Sequence, residues 1–306
     1  MLTVFVNVVL PVFLVAGMGF VVQRTLRPSI VALNQTALYI MFPCLLFTSL
    51  IKVDLHSETP LRILAFTVLL AASSILLVAV VARVSGLDRV TTSALMLTVA
   101  FPNLGNYGLP VVLLAFGQEG LTLALVVIAL QSLYGTTLAI VIASSGNDAS
   151  FLGAIRQVLR LPTIYALIAA LIVNLGQLPV PAFIMSALAI PAQAAIPLMV
   201  IVLGMQLAGT RGIEAPRLVG AATLARLVLG PAIGVGLALL LGLEGLTRDV
   251  LIVGAAMPTA VFTIIIATQF NSRPRLVTDA VIATTVASVV TVTVVLALIT
   301  GKVSLV

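Results

Sequence analysis

"FPNLGNYGLP", residues 101–110, sets two prolines, two glycines and two asparagines inside a long apolar run. A proline within a helix removes a backbone donor and presses its ring on the preceding turn, at about 3 kcal/mol or more. Each glycine costs roughly 1 kcal/mol relative to alanine. At membrane depth such losses are tolerated only where freed backbone groups face protein or a wet cavity. The stretch therefore predicts two half-helices parted by an unwound segment around Pro102, Gly105, Gly108 and Pro110.

The surroundings of that stretch read as lipid. Of 306 residues, 61% are hydrophobic and 8% charged, with a mean hydropathy of +1.30. A soluble domain carries about 25% charged residues, so this chain lacks the charges for a solvated skin. Its net charge of +6 is scattered singly between apolar runs, which points away from a nucleic-acid partner. The lone cysteine, Cys44, excludes an intrachain disulfide, and the lone histidine, His56, reads as a solvated loop residue. One histidine, one cysteine and no clustered carboxylates leave no catalytic triad and no metal site, so an enzyme is not expected and no cofactor is implied.

A helix needs about 20 apolar residues to cross the hydrocarbon core. Cutting at polar connectors gives ten spans: 3–22, 31–51, 61–83, 91–116, 120–144, 162–178, 183–207, 216–241, 249–270 and 276–300. The first, "MLTVFVNVVLPVFLVAGMGFVVQR", lacks a positive leader and a small-residue cleavage site and reads as a span. Alternate connectors hold ten Lys and Arg on one side, from Arg24 to Arg275, against Lys52, Arg62, Arg248 and Lys302 on the other. Basic connectors face the cytoplasm, so both termini are expected outside, periplasmic if the membrane is a bacterial inner membrane.

The halves of the chain match. "YIMFPCLLFTSL" in span 2 parallels "QAAIPLMVIVLGMQL" in span 7, and "VAFPNLGNYG" in span 4 parallels "GAAMPTAVFT" in span 9. Pro197 follows Pro43 by 154 residues and Pro258 follows Pro102 by 156. Five spans per unit invert the second unit, so residues 1–145 and 162–306 read as two inverted repeats joined by a short cytoplasmic connector, 146–161. Inverted repeats with interrupted helices are a transporter architecture whose site lies at the midplane. Broken spans 4 and 9 would cross there, aiming the positive ends of their second half-helices at a ligand. Asn103, Asn106 and Thr259 add neutral donors, and Thr263 follows one turn later. The fold class expected is thus an all-α membrane protein of ten helices, and the ligand a carboxylate.

These residues resemble the auxin efflux carrier family, which includes the plant PIN-type carriers and bacterial relatives. "PNLGNYGLP" looks like its fourth-helix pattern and "AAMPTAVFTIIIATQFNSRPRLVTDAVI" its ninth helix and following connector. "AIPLMVIVLGMQL" resembles its seventh helix and "LQSLYGTTL" its fifth, so the similarity covers nearly the whole chain. It implies a crossover fold in which helices 1, 2, 6 and 7 form a scaffold, often a homodimer interface, and helices 3–5 and 8–10 a moving transport domain. It also implies elevator-type exchange of a small organic anion, with Asn103 and Gln131 lining the site. The sequence departs from the plant pattern in its third span, where only Ser73 and Ser74 stand in place of an acid, and at Pro258-Thr259 and Leu161-Pro162. A sodium-coupled symporter of the bile-acid type, or a cation/proton antiporter, would use the same fold with Na⁺ or H⁺ as coupling ion.

Two ionisable residues stand apart from the connectors. Asp279, one turn into span 10, is expected to pair with Arg273 and Arg275 or to handle a coupling ion. Arg226, about ten residues into span 8, either snorkels to the interface or serves as a counter-charge to substrate. "GPAIG", residues 230–234, reads as a helix-packing motif.

Overall fold

Prolines and glycines decide where the helices of this chain bend and where they stop. The computed structural model describes residues 1–51, 59–145, 162–209 and 212–301. His56, the cations Lys52, Arg156, Arg160, Arg211 and Lys302, the acids Asp54, Glu58 and Asp148, and the connector 146–161 lie outside them. Among the described residues the chain is helical: α1 (Leu2–Thr25), α2 (Ile30–Leu50), α3 (Thr59–Val84), α4 (Arg89–Ala100), α5 (residues 104–116) and α6 (residues 118–144) come first. There follow α7 (Pro162–Leu175), α8 (Ala182–Leu207), α9 (Pro216–Leu240), α10 (Gly245–Ala255), α11 (Phe262–Gln269) and α12 (Pro274–Thr300). Gly117 separates α5 from α6 with φ 66°, a left-handed conformation that glycine adopts without a side-chain clash. Among the described residues seven stretches are long and apolar enough to cross a membrane: α1, α2, α3, α8, α9, α12 and residues 104–132, which run through the bend at Gly117. Apolar side chains such as Leu14, Met18, Val80, Leu239 and Val290 stand exposed along their outer faces, as a lipid-facing surface requires.

Four prolines share one local device. Pro11, Pro43, Pro110 and Pro231 each stand two residues after a five-residue π-helical turn: Phe5–Val9, Ala37–Met41, Leu104–Gly108 and Ala225–Leu229. In an α-helix the proline ring would strike the carbonyl four residues back. The wider turn moves that carbonyl aside. The N–H of the residue before each proline then closes on a carbonyl five back, Leu10 on Phe5, Phe42 on Ala37, Leu109 on Leu104 and Gly230 on Ala225. Pro191 and Pro197, by contrast, remain inside the α-helical α8.

α8 packs along α1 and α2, and α7 packs on α2. The α1–α8 contact is a backbone crossing. A Cβ on Gly19 would fall 2.0 Å from the Ile201 carbonyl oxygen, and one on Gly204 would fall 1.7 Å from that of Ala16. Elsewhere α3 packs on α4, α9 on α10 and α3, and α12 on α9, α11 and α4. Gly234 lets α9 approach α10, since a Cβ there would lie 2.7 Å from that of Ala255. The "GPAIG" motif therefore packs helices, as its spacing suggests. The most continuously buried segment is 249–261, so the core sits around the interruption between α10 and α11.

Candidate functional site

The two interruptions meet. Residues 101–103 part α4 from α5, residues 256–261 part α10 from α11, and Pro102 and Thr259 form an isolated antiparallel β-bridge. The Asn103 N–H donates to the Pro258 carbonyl at 2.7 Å, and the Ala260 N–H donates to the Phe101 carbonyl at 2.9 Å. These bonds flank the Pro102–Thr259 pair, so Pro102 occupies the one register in which its missing N–H costs no ladder bond. Phe101 and Phe262 close the junction edge-to-face, their centroids 5.6 Å apart.

Unwinding is shorter than the sequence suggests. Gly105 and Gly108 lie in the π turn that opens α5, and Pro110 lies in the helix behind it. Gly108 is needed for closeness, since a Cβ there would fall 2.6 Å from Leu104 Cδ1 and 3.3 Å from Met257 Cγ.

Breaking two helices strands carbonyls at the ends of α4 and α10, and each can be followed. The Thr98 carbonyl would accept from residue 102, but that residue is proline; the Thr259 hydroxyl donates to it instead, at 2.7 Å. The Val99 carbonyl loses Asn103, whose N–H goes across the bridge, and accepts from Arg226 Nη1 at 2.7 Å. The Ala255 carbonyl loses Thr259, whose N–H donates to Thr284 Oγ1 at 3.1 Å, and accepts from Arg226 Nη2. Arg226 Nε donates to the Met257 carbonyl at 3.0 Å. Arg226 thus lies fully buried in the π turn of α9 and does not snorkel. Gly230, one helical turn on, leaves its guanidinium room, since a Cβ there would meet Arg226 Nη2 and the Ala255 oxygen, each at 3.1 Å.

The starts of α5 and α11 follow closely on the bridged residues. Asn103, 4% exposed, caps α5: its Oδ1 accepts from the Asn106 N–H at 3.2 Å. That bond fixes the amide's orientation, because the reverse would set two donors face to face. Its Nδ2 is buried without a hydrogen-bond partner among the described residues. Asn106 is half-buried on the same turn. Thr259 and Thr263 are fully buried, and their hydroxyls donate to the carbonyls of Thr98 and Ala260. Gln131, half-buried on α6, shares a cavity of about 10 Å³ with Thr67, Pro102, Leu104 and Ala255. That space holds about one water molecule, so a carboxylate-bearing ligand can enter only if the walls part.

Asp279 lies outside this junction. It is buried and accepts from the Glu214 N–H at 2.9 Å. Arg273 and Arg275 approach the Glu214 carboxylate instead, at 3.8 and 3.4 Å, so the expected pairing of those arginines with Asp279 is replaced by one with Glu214. Arg273 also donates to Thr91 Oγ1, which donates to Asp88 at the start of α4. The roles of Thr98, Thr284 and the α4 and α10 carbonyls carry no sequence signal; only the stranded acceptors reveal them.

The membrane transport protein family model matches residues 4–296. An uncharacterized transporter of Methanothermobacter thermautotrophicus is 29% identical over 263 residues, covering 84% of this chain and 85% of that protein. Another, from Methanocaldococcus jannaschii, is 27% identical over 272 residues, covering 85% and 86%. The chain is a multi-pass membrane protein and belongs to the membrane transport protein family, the auxin efflux carrier family that its sequence resembles, a family of transporters rather than of enzymes.

Proposed function

We propose that the protein is a secondary carrier of small organic anions, carboxylates, across the plasma membrane. The observation that carries this reading is the junction itself, where two interrupted helices are bridged just before their second halves begin and where a buried amide donor, Asn103 Nδ2, has no acceptor among the described residues. A helix start bears a partial positive charge of about half an electron. A carboxylate entering between α5 and α11 would meet both, together with the Asn103 amide, Asn106 and Gln131, without a full cation facing it.

In this reading the protein has ten membrane spans in two inverted repeats, with α4–α5 and α10–α11 as the crossing pair and both termini outside. The cluster of α1, α2, α7 and α8 serves as scaffold and homodimer surface. The cluster of α3–α6 and α9–α12 moves against it as an elevator, carrying the site from one face to the other. The backbone crossing at Gly19 and Gly204 favours a rigid scaffold. The test is uptake of labelled carboxylates by proteoliposomes, with and without a sodium gradient. Wild type is expected to transport a carboxylate, and Asn103→Ala to lower that flux at least tenfold. Equal flux by the variant would overturn the site, and strict sodium dependence would favour the symporter.

A further inference from the structure

Arg226 binds the carbonyls that end α4 and α10, and it is the only full charge fixed at the junction among the described residues. Its three hydrogen bonds go to the main-chain carbonyls of Val99, Ala255 and Met257. No described carboxylate stands within ion-pair distance of it. A buried cation without a counter-ion is costly, so the electrostatic reason for it must lie in those carbonyls.

Each helix end contributes about half a unit charge, negative at the C-terminus and positive at the N-terminus. The junction gathers four ends. The C-terminal ends of α4 and α10 together present about one negative charge, and Arg226 binds both. The N-terminal ends of α5 and α11 together present about one positive charge, and nothing charged among the described residues answers it. Asn103 adds an independent sign that this place suits an acceptor, as its amide oxygen caps α5 while its Nδ2, buried with it, meets no acceptor among the described residues. Were Arg226 neutral, positive and negative ends would cancel, and the exposed carbonyls would suit a cation.

We propose that Arg226 is a specificity-determining, positioning residue that cancels the negative half of the junction and thereby makes it a site for one negative charge, rejecting both cations and dianions. A second negative charge on a ligand would find no compensation in this low-dielectric place. The proposal rests on the anion-carrier reading and adds sign and valence to it.

The test compares ligands that share a carbon skeleton, butyrate with succinate and benzoate with terephthalate, at constant ionic strength and pH 8. Binding is measured by titration calorimetry on purified wild type, Arg226→Lys and Arg226→Gln. Wild type is expected to bind the better monoanion at least tenfold more tightly than its dianion partner. Arg226→Gln should lose at least tenfold in that affinity and acquire a sodium-dependent rise in melting temperature that wild type lacks; Arg226→Lys should recover the affinity. A dianion bound as tightly as its partner by wild type overturns the inference and leaves the carrier standing. So does a folded Arg226→Gln with unchanged affinity. If Arg226→Gln does not fold, the wild-type comparison alone decides. A wild type that binds none of the four probes sinks the anion reading and this inference with it.

Discussion

Thr259 shows how much one side chain can carry when a helix is interrupted. Its hydroxyl satisfies the Thr98 carbonyl that Pro102 cannot, and its N–H reaches Thr284 on α12. Thr259→Val keeps the shape and deletes only the hydroxyl, leaving the Thr98 oxygen buried without that donor. The expected loss is about 1–3 kcal/mol, read as a lower melting temperature in detergent, while Thr259→Ser should retain most of the stability. Asp88 is a different kind of anchor, an exposed cap that accepts from the Thr91 N–H and hydroxyl at the start of α4. The Thr91 side-chain bond, then its backbone bond, hold the Asp88 carboxyl below its ordinary value of 3.8. A lowered folded-state value means that its contribution is complete above the unfolded value and fades as pH falls through the folded one. Asp88→Ala should therefore melt below wild type at pH 7, with the gap closing as the pH falls below 3.8. These partners were hidden in the sequence because a stranded carbonyl belongs to any residue type; Val99 and Ala255 look like ordinary wall residues. For the same reason Arg226 could be suspected from its depth, but its partners could not be named.

At the scale of elements, proline positions announced where helices would be disturbed without saying how. Pro102 and Pro258 mark true interruptions, whereas Pro110 sits behind a π turn that absorbs it and leaves the helix continuous. The difference is geometric: Pro102 and Pro258 belong to segments that pair with each other across the junction, and Pro110 has no such partner strand. The α1–α8 crossing was not legible either. Gly19 and Gly204 lie in different halves of the chain, and a glycine in a membrane span has many uses. Their closeness gives a paired prediction. Gly204→Ala must push α1 and α8 apart, because its methyl would enter the Ala16 carbonyl. It should cost about 1–3 kcal/mol by thermal unfolding. Gly17→Ala, on the same α1 with open space around it, should leave stability level or raise it by up to about 1 kcal/mol.

At the scale of the whole molecule the multi-pass membrane character was the most legible feature, since apolar run lengths depend on composition alone and the medium enforces them. Under the proposed division into scaffold and moving clusters, Phe13 on α1 meets Tyr107 on α5 edge-on between them, at 5.8 Å. If the clusters slide past each other, a tether at that point must stop transport. In a Cys44→Ser background, cysteines at positions 13 and 107 joined by a short bis-maleimide should abolish uptake. A tether between positions 50 and 174, where the Asn174 side chain donates to the Leu50 carbonyl at 2.9 Å within the scaffold cluster, should leave it intact. Equal uptake by the tethered 13–107 pair would refute the sliding motion.

The bridge between Pro102 and Thr259 also bears on how the protein is made. The Thr98 carbonyl waits for a donor 161 residues later in the chain, and the Val99 carbonyl for one 127 residues later. At a synthesis rate of about 5–20 residues per second, the first interruption spends roughly ten to thirty seconds without the groups that complete it. During that time unsatisfied peptide groups cannot be left to lipid. The nascent first half must be sheltered by the insertion machinery, or by water held near it, until the second half arrives to close the seam.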